Sequence, residues 1–134
     1  MISCDLYISG PEDSLNRVAK ALNISPDLMI AEFETSDYDF YTERRNAMFI
    51  FKVRGAFQYK IDLEVFDIEG EAAFFERLIS LSKQGIKTAL PDEKSESPFV
   101  MCLFESGHMR KVFLDEHEAT QTLSQVEITD SNRH

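Results

Sequence analysis

The sequence predicts one α+β domain, in which an antiparallel-rich sheet has two helices packed on one face. Two observations lead to this prediction. Apolar and polar residues alternate with the period of a strand in several short stretches, and they recur at helical spacing in two others. The resulting order is strand, helix, three strands, helix, three strands, which a two-layer sandwich satisfies.

The first half of the chain begins with a strand over residues 2–8 and a short amphipathic helix after it. Pro11 suits the first position of a helix, and Glu12 and Asp13 place negative charge in the first turn, where the helix dipole favours it. Apolar residues then recur on one helical face until Asn23. We therefore predict a helix that starts at Pro11.

The clearest hairpin of the sequence spans residues 47–66, where each predicted strand has an apolar face. The faces consist of Ala47, Phe49, Phe51 and Val53 on the first strand and of Phe57, Tyr59, Ile61, Leu63 and Val65 on the second. A three-residue connection, Arg54 to Ala56, would pair Val53 with Phe57 and keep the two apolar faces together. We therefore predict this three-residue loop, with a positive φ at Gly55.

The second half contains a helix that opens at Gly70 and stops before Gly85, followed by a strand over 86–90. A last hairpin over 99–115 turns through residues 106–108, and its strands are apolar on both faces. The inner part of this order resembles the ferredoxin-like arrangement, in which two strand–helix–strand units interlock. That arrangement hosts many functions and predicts none of them.

Length and composition indicate one domain over residues 1–116 and a polar tail over 117–134 that we expect to be mobile. The 134 residues are 43% apolar, which is enough for a core. The amino terminus has no basic stretch followed by an apolar one, and no apolar run reaches the roughly 20 residues that cross a membrane. We expect a cytoplasmic protein, monomeric or weakly dimeric.

Charge is the bulk property that says most about partners. Twenty-four acidic residues against 14 basic ones leave a formal net charge of −10. Such a surface repels phosphate backbones and anionic membranes, so direct nucleic-acid or membrane binding is disfavoured. A basic protein partner would instead be steered toward it.

Catalytic and metal-binding patterns are missing from the sequence. Cys4 and Cys102 each lie in an apolar strand-like run and match no zinc spacing, so we expect two buried, reduced thiols. The alternative is a single disulfide between two strands, which would need an oxidising compartment. His108 falls at a predicted hairpin tip, His117 at the start of the tail, and His134 is the last residue. We predict no cofactor, no metal site and no enzymatic activity.

The candidate partner-binding surface is the acidic and aromatic stretch from Glu32 to Glu43, which includes the end of the predicted strand over 28–35 and the residues after it. Aromatic side chains supply contact area, and charges steer a basic partner. A second patch is expected on the strand of the first hairpin, where Asp62 and Glu64 share the face turned away from the apolar residues and are expected to be solvated. The stretch contributes Glu32, Glu34, Asp37, Tyr38, Asp39, Tyr41 and Glu43.

In size, acidity, α+β composition and lack of catalytic motifs, the chain resembles the small bacterial immunity proteins that neutralise a contact-dependent or secretion-system toxin. This resemblance implies a cytosolic binder whose acidic face covers the basic active site of a nuclease-type toxin domain. Two alternatives stay open at this point. One is a small-molecule sensor or regulatory domain that holds a ligand on the helix-covered sheet face or in a dimer cleft. The other is an acidic mimic of DNA, which the interspersed Lys and Arg residues disfavour.

Overall fold

The computed structural model describes residues 1–31, 45–117 and 120–125. This part of the chain forms two α-helices and nine strands, and the strands make up one mostly antiparallel sheet in the order β2-β3-β5-β1-β6-β7-β8-β9-β4. The predicted α+β class, with helices packed against the sheet, is confirmed. The helices are α1, Ser14–Ala21, and α2, Gly70–Lys83, and the strands are β1, Ile2–Ser9, β2, Met29–Ala31, β3, Ala47–Lys52, β4, Arg54–Gly55, β5, Tyr59–Val65, β6, Lys87–Pro91, β7, Val100–Glu105, β8, His108–His117, and β9, Thr120–Gln125.

The inner strands and both helices form the interlocked arrangement that the sequence predicts. One unit is β1-α1-β3 and the other is β5-α2-β6. Strand β5 pairs antiparallel with both β1 and β3, and β1 pairs antiparallel with both β5 and β6. Each unit therefore has a strand of the other unit between its own two strands, which is the ferredoxin-like pattern.

The larger of two apolar cores lies between the helices and the sheet, and we call it the helix-side core. Helix α1 contributes Val18 and α2 contributes Phe74 and Leu78, all at most 1% exposed. From the sheet, Leu6 of β1 and Ile61 of β5 are completely buried against them. The helical spacing of the apolar residues in α1 and α2 is what allows both helices to cover the same sheet face.

The ends of the helices follow the sequence signals in one case and differ in the other. Helix α2 ends as predicted, because Gly85 adopts a φ of +85° and its N–H donates to the carbonyl of Ser82 at 3.2 Å. Helix α1 begins at Ser14, whereas the sequence predicts Pro11. The three residues before it form a turn, in which the N–H of Ser14 donates to the carbonyl of Pro11 at 3.0 Å.

The predicted register of the first hairpin is wrong by one residue. Phe51 lies opposite Lys60, and the N–H of Val53 donates to the carbonyl of Gln58 at 3.0 Å, so the connection is longer than three residues. Gly55 does have the predicted positive φ, of +90°. The shift places Met48 and Ile50, rather than the odd-numbered apolar residues of β3, on the same face as the core residues of β5.

The last hairpin also turns more tightly than the sequence predicts. Glu105 lies opposite His108, so the turn consists of Ser106 and Gly107 alone, and His108 belongs to β8. The two turn residues have φ values of +53° and +82°. Consecutive positive φ angles are the geometry of a type I′ turn, which matches the twist of the strands that it joins.

A second, smaller core lies on the other face of the sheet, and we call it the curl core. The sheet bends so far that β4, in the connection between β3 and β5, pairs with β9 at its other end. The hydroxyl of Tyr7 on β1 donates to Oε2 of Glu116 on β8 at 2.5 Å, although two strands separate β1 from β8 and would hold them about 14 Å apart in a flat sheet. The curl core consists of Tyr7, Phe57, Ala89, Met101, Leu103, Val112 and Leu114.

Strands β8 and β9 carry the sheet into the segment 117–134, for which the sequence predicts a polar tail. Strand β9 pairs with β8 from Val112 to His117, and Leu123 packs against the curl core. Residues 118–119 and 126–134 lie outside the described part of the chain. Neither described helix has the length and apolar composition that would let it cross a lipid bilayer.

Candidate functional site

The predicted partner-binding residues divide into two groups. Asp62 and Glu64 lie on β5, within the described part of the chain. The remaining candidates all fall in the range 32–44, outside the described residues, so their role stays a prediction. These are Glu32, Glu34, Asp37, Tyr38, Asp39, Tyr41 and Glu43.

Asp62 and Glu64 project from the sheet face opposite the helices, as the sequence predicts. Asp62 is exposed and lies directly opposite Asp5 of β1, so two carboxylates meet across neighbouring strands. Like charges in directly opposite positions destabilise a sheet. We call the surface formed by Asp5, Asp62 and Glu64 the acidic sheet face.

The electrostatics of this face are dominated by the two aspartates. Partial burial, the nearby charge of Asp5 and the charge of Glu64 together raise the pKa of the Asp62 carboxyl above its ordinary value. Among the described residues, no ion pair involves Asp5 or Asp62. Asp5 and Asp62 therefore carry negative charge that no ion pair among the described residues neutralises.

Glu64 differs from the solvated residue that the sequence predicts, because it is only 6% exposed. It lies opposite Ser3 of β1 and Ala47 of β3, and its Oε1 accepts a hydrogen bond from the Ser3 hydroxyl at 2.9 Å. Glu64 could therefore act on a partner only through its charge, whereas the exposed Asp5 and Asp62 are open to direct contact.

Aromatic and basic side chains flank the acidic sheet face on β3 and β5. Phe49 lies opposite Asp62, and Phe51 is 40% exposed. Lys60, opposite Phe51, has its Nζ 5.5 Å from the centroid of the Tyr7 ring, a cation–π contact that lies toward the curl core. The described part of the acidic sheet face thus combines open carboxylates with exposed aromatic area.

A cavity of about 440 Å³ opens on the helix side of the sheet, and we call it the α2 cavity. Here Nζ of Lys111 donates to Oδ2 of Asp92 at 2.7 Å and contacts Sγ of Cys102 at 3.3 Å. The cavity is bounded by the start of β1, the first turns of α2 and the end of β6. Cys102 of β7 and Lys111 of β8 bound it on the remaining side. Its defining residues are Ile2, Cys4, Phe75, Leu90, Cys102 and Lys111.

Both thiols of the α2 cavity are free cysteines in the structure; Cys102 is buried, as predicted, whereas Cys4 is only partly buried. Burial, followed by the charges of nearby carboxylates, raises the pKa of Cys4 to about 12. Burial also raises the pKa of Cys102, against the opposing effect of the Lys111 ammonium. Since the thiolate is the reactive form, neither cysteine has the chemistry of a nucleophile at neutral pH.

Other catalytic or metal-binding arrangements are not found within residues 1–31, 45–117 and 120–125. His108 and His117 are both exposed, at the two ends of β8. No group of three or more histidine, cysteine and acidic side chains in these ranges is arranged to hold a metal ion. The acidic sheet face and the α2 cavity are the two surfaces with distinctive chemistry.

Comparison with known protein families, with characterised proteins and with solved structures finds no match for this chain.

Proposed function

We propose that this chain is a protein-binding module that recognises a basic partner through the acidic sheet face. The observation that carries this proposal is the direct cross-strand opposition of Asp5 and Asp62. A lysine or arginine of a partner, placed between the two carboxylates, would satisfy both and remove their mutual repulsion. Charge-assisted hydrogen bonds of this kind are the stronger ones in proteins.

The surroundings of the two aspartates support a protein partner rather than a lone cation. Phe51 is 40% exposed and presents aromatic surface to solvent, and the partly buried Phe49, on the same face of β3, lies opposite Asp62. Protein interfaces draw most of their binding energy from such aromatic anchors next to charges that become desolvated on binding. A partner that covers this face would therefore combine apolar contact with charge complementarity.

Within this function, the partner class that we propose is a basic toxin domain of the nuclease type. The net charge of −10 would steer such a domain toward the chain and raise the association rate at low salt. The resemblance to bacterial immunity proteins in size, acidity and α+β composition points in the same direction. On this proposal the chain acts by covering the toxin's active site and performs no catalysis itself.

The test is a charge reversal on the acidic sheet face with a matched reversal elsewhere. The double variant Asp5→Lys with Asp62→Lys keeps a like-charge pair across the strands, so the cross-strand repulsion within the fold stays comparable. The control, Glu12→Lys with Glu76→Lys, makes the same change in net charge at two exposed positions away from this face. Circular dichroism of all three proteins establishes that each is folded.

Each protein is used to capture partners from a lysate of the native host at low and at high salt. We expect one basic protein to be retained by the parent chain and by the control, less so in salt, and to be lost by the Asp5 and Asp62 variant. The captured protein, once purified, should lose nuclease activity when the parent chain is added. Equal capture by both variants would reject the acidic sheet face as the interface, and capture without inhibition would reject the immunity function.

A further inference from the structure

The α2 cavity has the size and lining of a ligand site. Its volume of about 440 Å³ lies in the range of pockets that hold small organic molecules. Ile2, Phe74, Phe75 and Leu90 supply apolar lining, with Phe75 in an edge contact with Phe104, whose ring centroid lies 5.0 Å away. An apolar ligand body would replace water against these side chains.

The cavity exists because the sheet is interrupted on this side. Strand β6 ends at Pro91, and the chain then leaves the sheet through the loop that leads to Val100 of β7. Cys4 of β1 lies beyond the part of β1 that pairs with β6, and Cys102 of β7 lies opposite Leu90 near the end of β6. Both cysteines line the cavity beside the first turns of α2. The opening therefore lies where the pairing of β1 with β6 stops.

The charges around the cavity favour a cation. The side chain of Asp5 belongs to the opposite sheet face, although the residue also borders the cavity. The remaining acidic lining residues, Glu71, Asp92 and Glu93, outnumber the basic ones, Lys94 and Lys111, by three to two. Lys111 is already paired with Asp92, whereas Glu71 and Glu93 form no ion pair with any described residue.

The pKa values of the two cavity thiols reflect different neighbours. After burial, the charges of Asp5 and Glu93 are the next largest causes of the raised pKa of Cys4. Burial also raises the pKa of Cys102, the Lys111 ammonium opposes that rise, and Asp92 and Glu71 add to it by smaller amounts. Glu93 and Glu71 therefore each lie close enough to act on a thiol of the cavity.

We propose that the α2 cavity binds a small organic cation with an apolar body, such as an arylalkylamine. The apolar body packs against Phe75 and Leu90, and the ammonium group faces Glu71 and Glu93. The site lies on the helix side of the sheet, whereas the exposed aspartate pair lies on the opposite face. It does not depend on the protein-binding function proposed above.

A series of three probes of nearly equal shape tests the ligand class: phenylbutylamine, phenylbutanol and phenylbutyrate, which carry a cationic, a neutral and an anionic group. The chain has five methionines, and NMR of their methyl groups reports where each probe binds. Met1 and Met109 line the cavity, while Met48 belongs to the helix-side core and Met101 to the curl core. We expect phenylbutylamine at about millimolar concentration to shift the Met1 and Met109 signals and to leave the signals of Met48 and Met101 in place.

Variants on α2 distinguish a cation site from general apolar binding. Glu71→Gln should weaken phenylbutylamine binding up to about fivefold, the scale of one partly exposed charge pair. Glu76→Gln, on the same helix but outside the cavity lining, should leave the affinity unchanged. The acidic sheet face is intact in both variants, so their outcome is separate from that of the capture experiment.

Three results would overturn the proposal: no shift at Met1 and Met109 with any probe, equal or tighter binding of phenylbutyrate, or an affinity for phenylbutylamine that Glu71→Gln does not change. Preferred binding of the amine, with the loss at Glu71 and none at Glu76, would support it.

Discussion

The two faces of the sheet are covered by different structural elements. On one face, α1 and α2 cover a continuous core that extends along β3, β5, β1 and β6. On the other face no helix of the described chain packs, and the strands β6 to β9 bend over the smaller curl core, closed by the pairing of β4 with β9. Beside the curl core, the same face leaves Asp5 and Asp62 open. One side of the sheet thus holds the fold together, while the other divides its area between a small core and a charged surface.

The largest expected effect is in the helix-side core. Leu78 of α2 is fully buried, so Leu78→Ala should leave a cavity and lower the free energy of unfolding by about 3 kcal/mol. The same change at Leu114, which is 7% exposed in the curl core, should cost less, about 2 kcal/mol. Urea unfolding of both variants measures the difference. An equal or larger loss at Leu114 would contradict the ranking of the two cores.

The closure of the curl core depends on Gly55, and Gly55→Ala should cost about 2 kcal/mol. Its φ is +90°, and a Cβ at this position would lie 2.1 Å from the carbonyl oxygen of Gln121 on β9. Hydrogen exchange should show faster exchange in β9 and unchanged protection in α2. Gly85→Ala is the matched control, because Gly85 has a similar φ of +85° but open space around its Cβ position. If both variants exposed β9 equally, the close approach to Gln121 would not be the cause.

The hydrogen bond that spans the curl core should contribute less. Tyr7→Phe removes the donor to Glu116, and we expect a loss of about 1 kcal/mol, since the Glu116 carboxylate is exposed and can turn to water. Tyr59→Phe deletes a tyrosine hydroxyl on the helix-covered face of neighbouring β5 and should change stability little. Thermal unfolding of the two variants makes the comparison. A loss at Tyr59 as large as that at Tyr7 would show that the spanning hydrogen bond adds nothing specific.

The smallest expected effect is a gain on the open part of the same face. Asp62→Asn removes one of two opposed carboxylates, so the free energy of unfolding at neutral pH should rise by about 0.5 kcal/mol. The pKa of Asp62 is raised in the folded chain, so the folded chain keeps this proton to a higher pH than the unfolded chain does. The carboxyl group therefore costs stability as pH rises from below the ordinary Asp pKa, about 3.9, to above the folded value.

The advantage of Asn at position 62 should accordingly be full at neutral pH and should disappear as pH falls through that window. Asp115→Asn, at an exposed position of β8, is the control for removing an acidic side chain elsewhere. Urea unfolding of both variants across this pH range provides the measurement. An advantage at position 62 that did not change with pH would mean that the cross-strand charge is not its origin.

Much of the helix-covered half of the fold was predictable, because its signals are local. The apolar spacing in α1 and α2, the helix stop at Gly85 and the order of the elements were enough to predict two interlocked units. The start of α1 was not, since Pro11 also suits the turn that it forms. Local sequence patterns thus predicted which helices and strands form more accurately than the residues at which they begin.

The register of the first hairpin could not be read from the sequence for a specific reason. Strand β3 is apolar on both faces, with Met48 and Ile50 on one and Phe49 and Phe51 on the other. A strand with this pattern satisfies two registers equally well by periodicity. In the observed register, β4 at the tip of the hairpin pairs with β9. Because β9 lies far away in the sequence, no local pattern could indicate this pairing.

The candidate site shows the same limit. Asp62 was found from its place on the polar face of a strand, but Asp5 was missed, since only the pairing of β1 with β5 brings the two together. The same pairing places Ser3 against Glu64 and buries a side chain that the sequence predicts to be solvated. The α2 cavity has no sequence signal at all, because it arises where β6 ends.

The pairing of β4 with β9 also sets an order of assembly when the chain is made from its amino end. All strands and helices of the two interlocked units are present once Pro91 has been synthesised, whereas β9 begins at Thr120. At synthesis rates of 5–20 residues per second, this interval lasts about 1.5 to 6 seconds. During that time the curl core, which includes Phe57, lacks Leu123 of β9, which packs against it in the finished protein. The tip of the first hairpin is therefore the last part of this sheet to be paired during synthesis, and it stays open to other proteins until then.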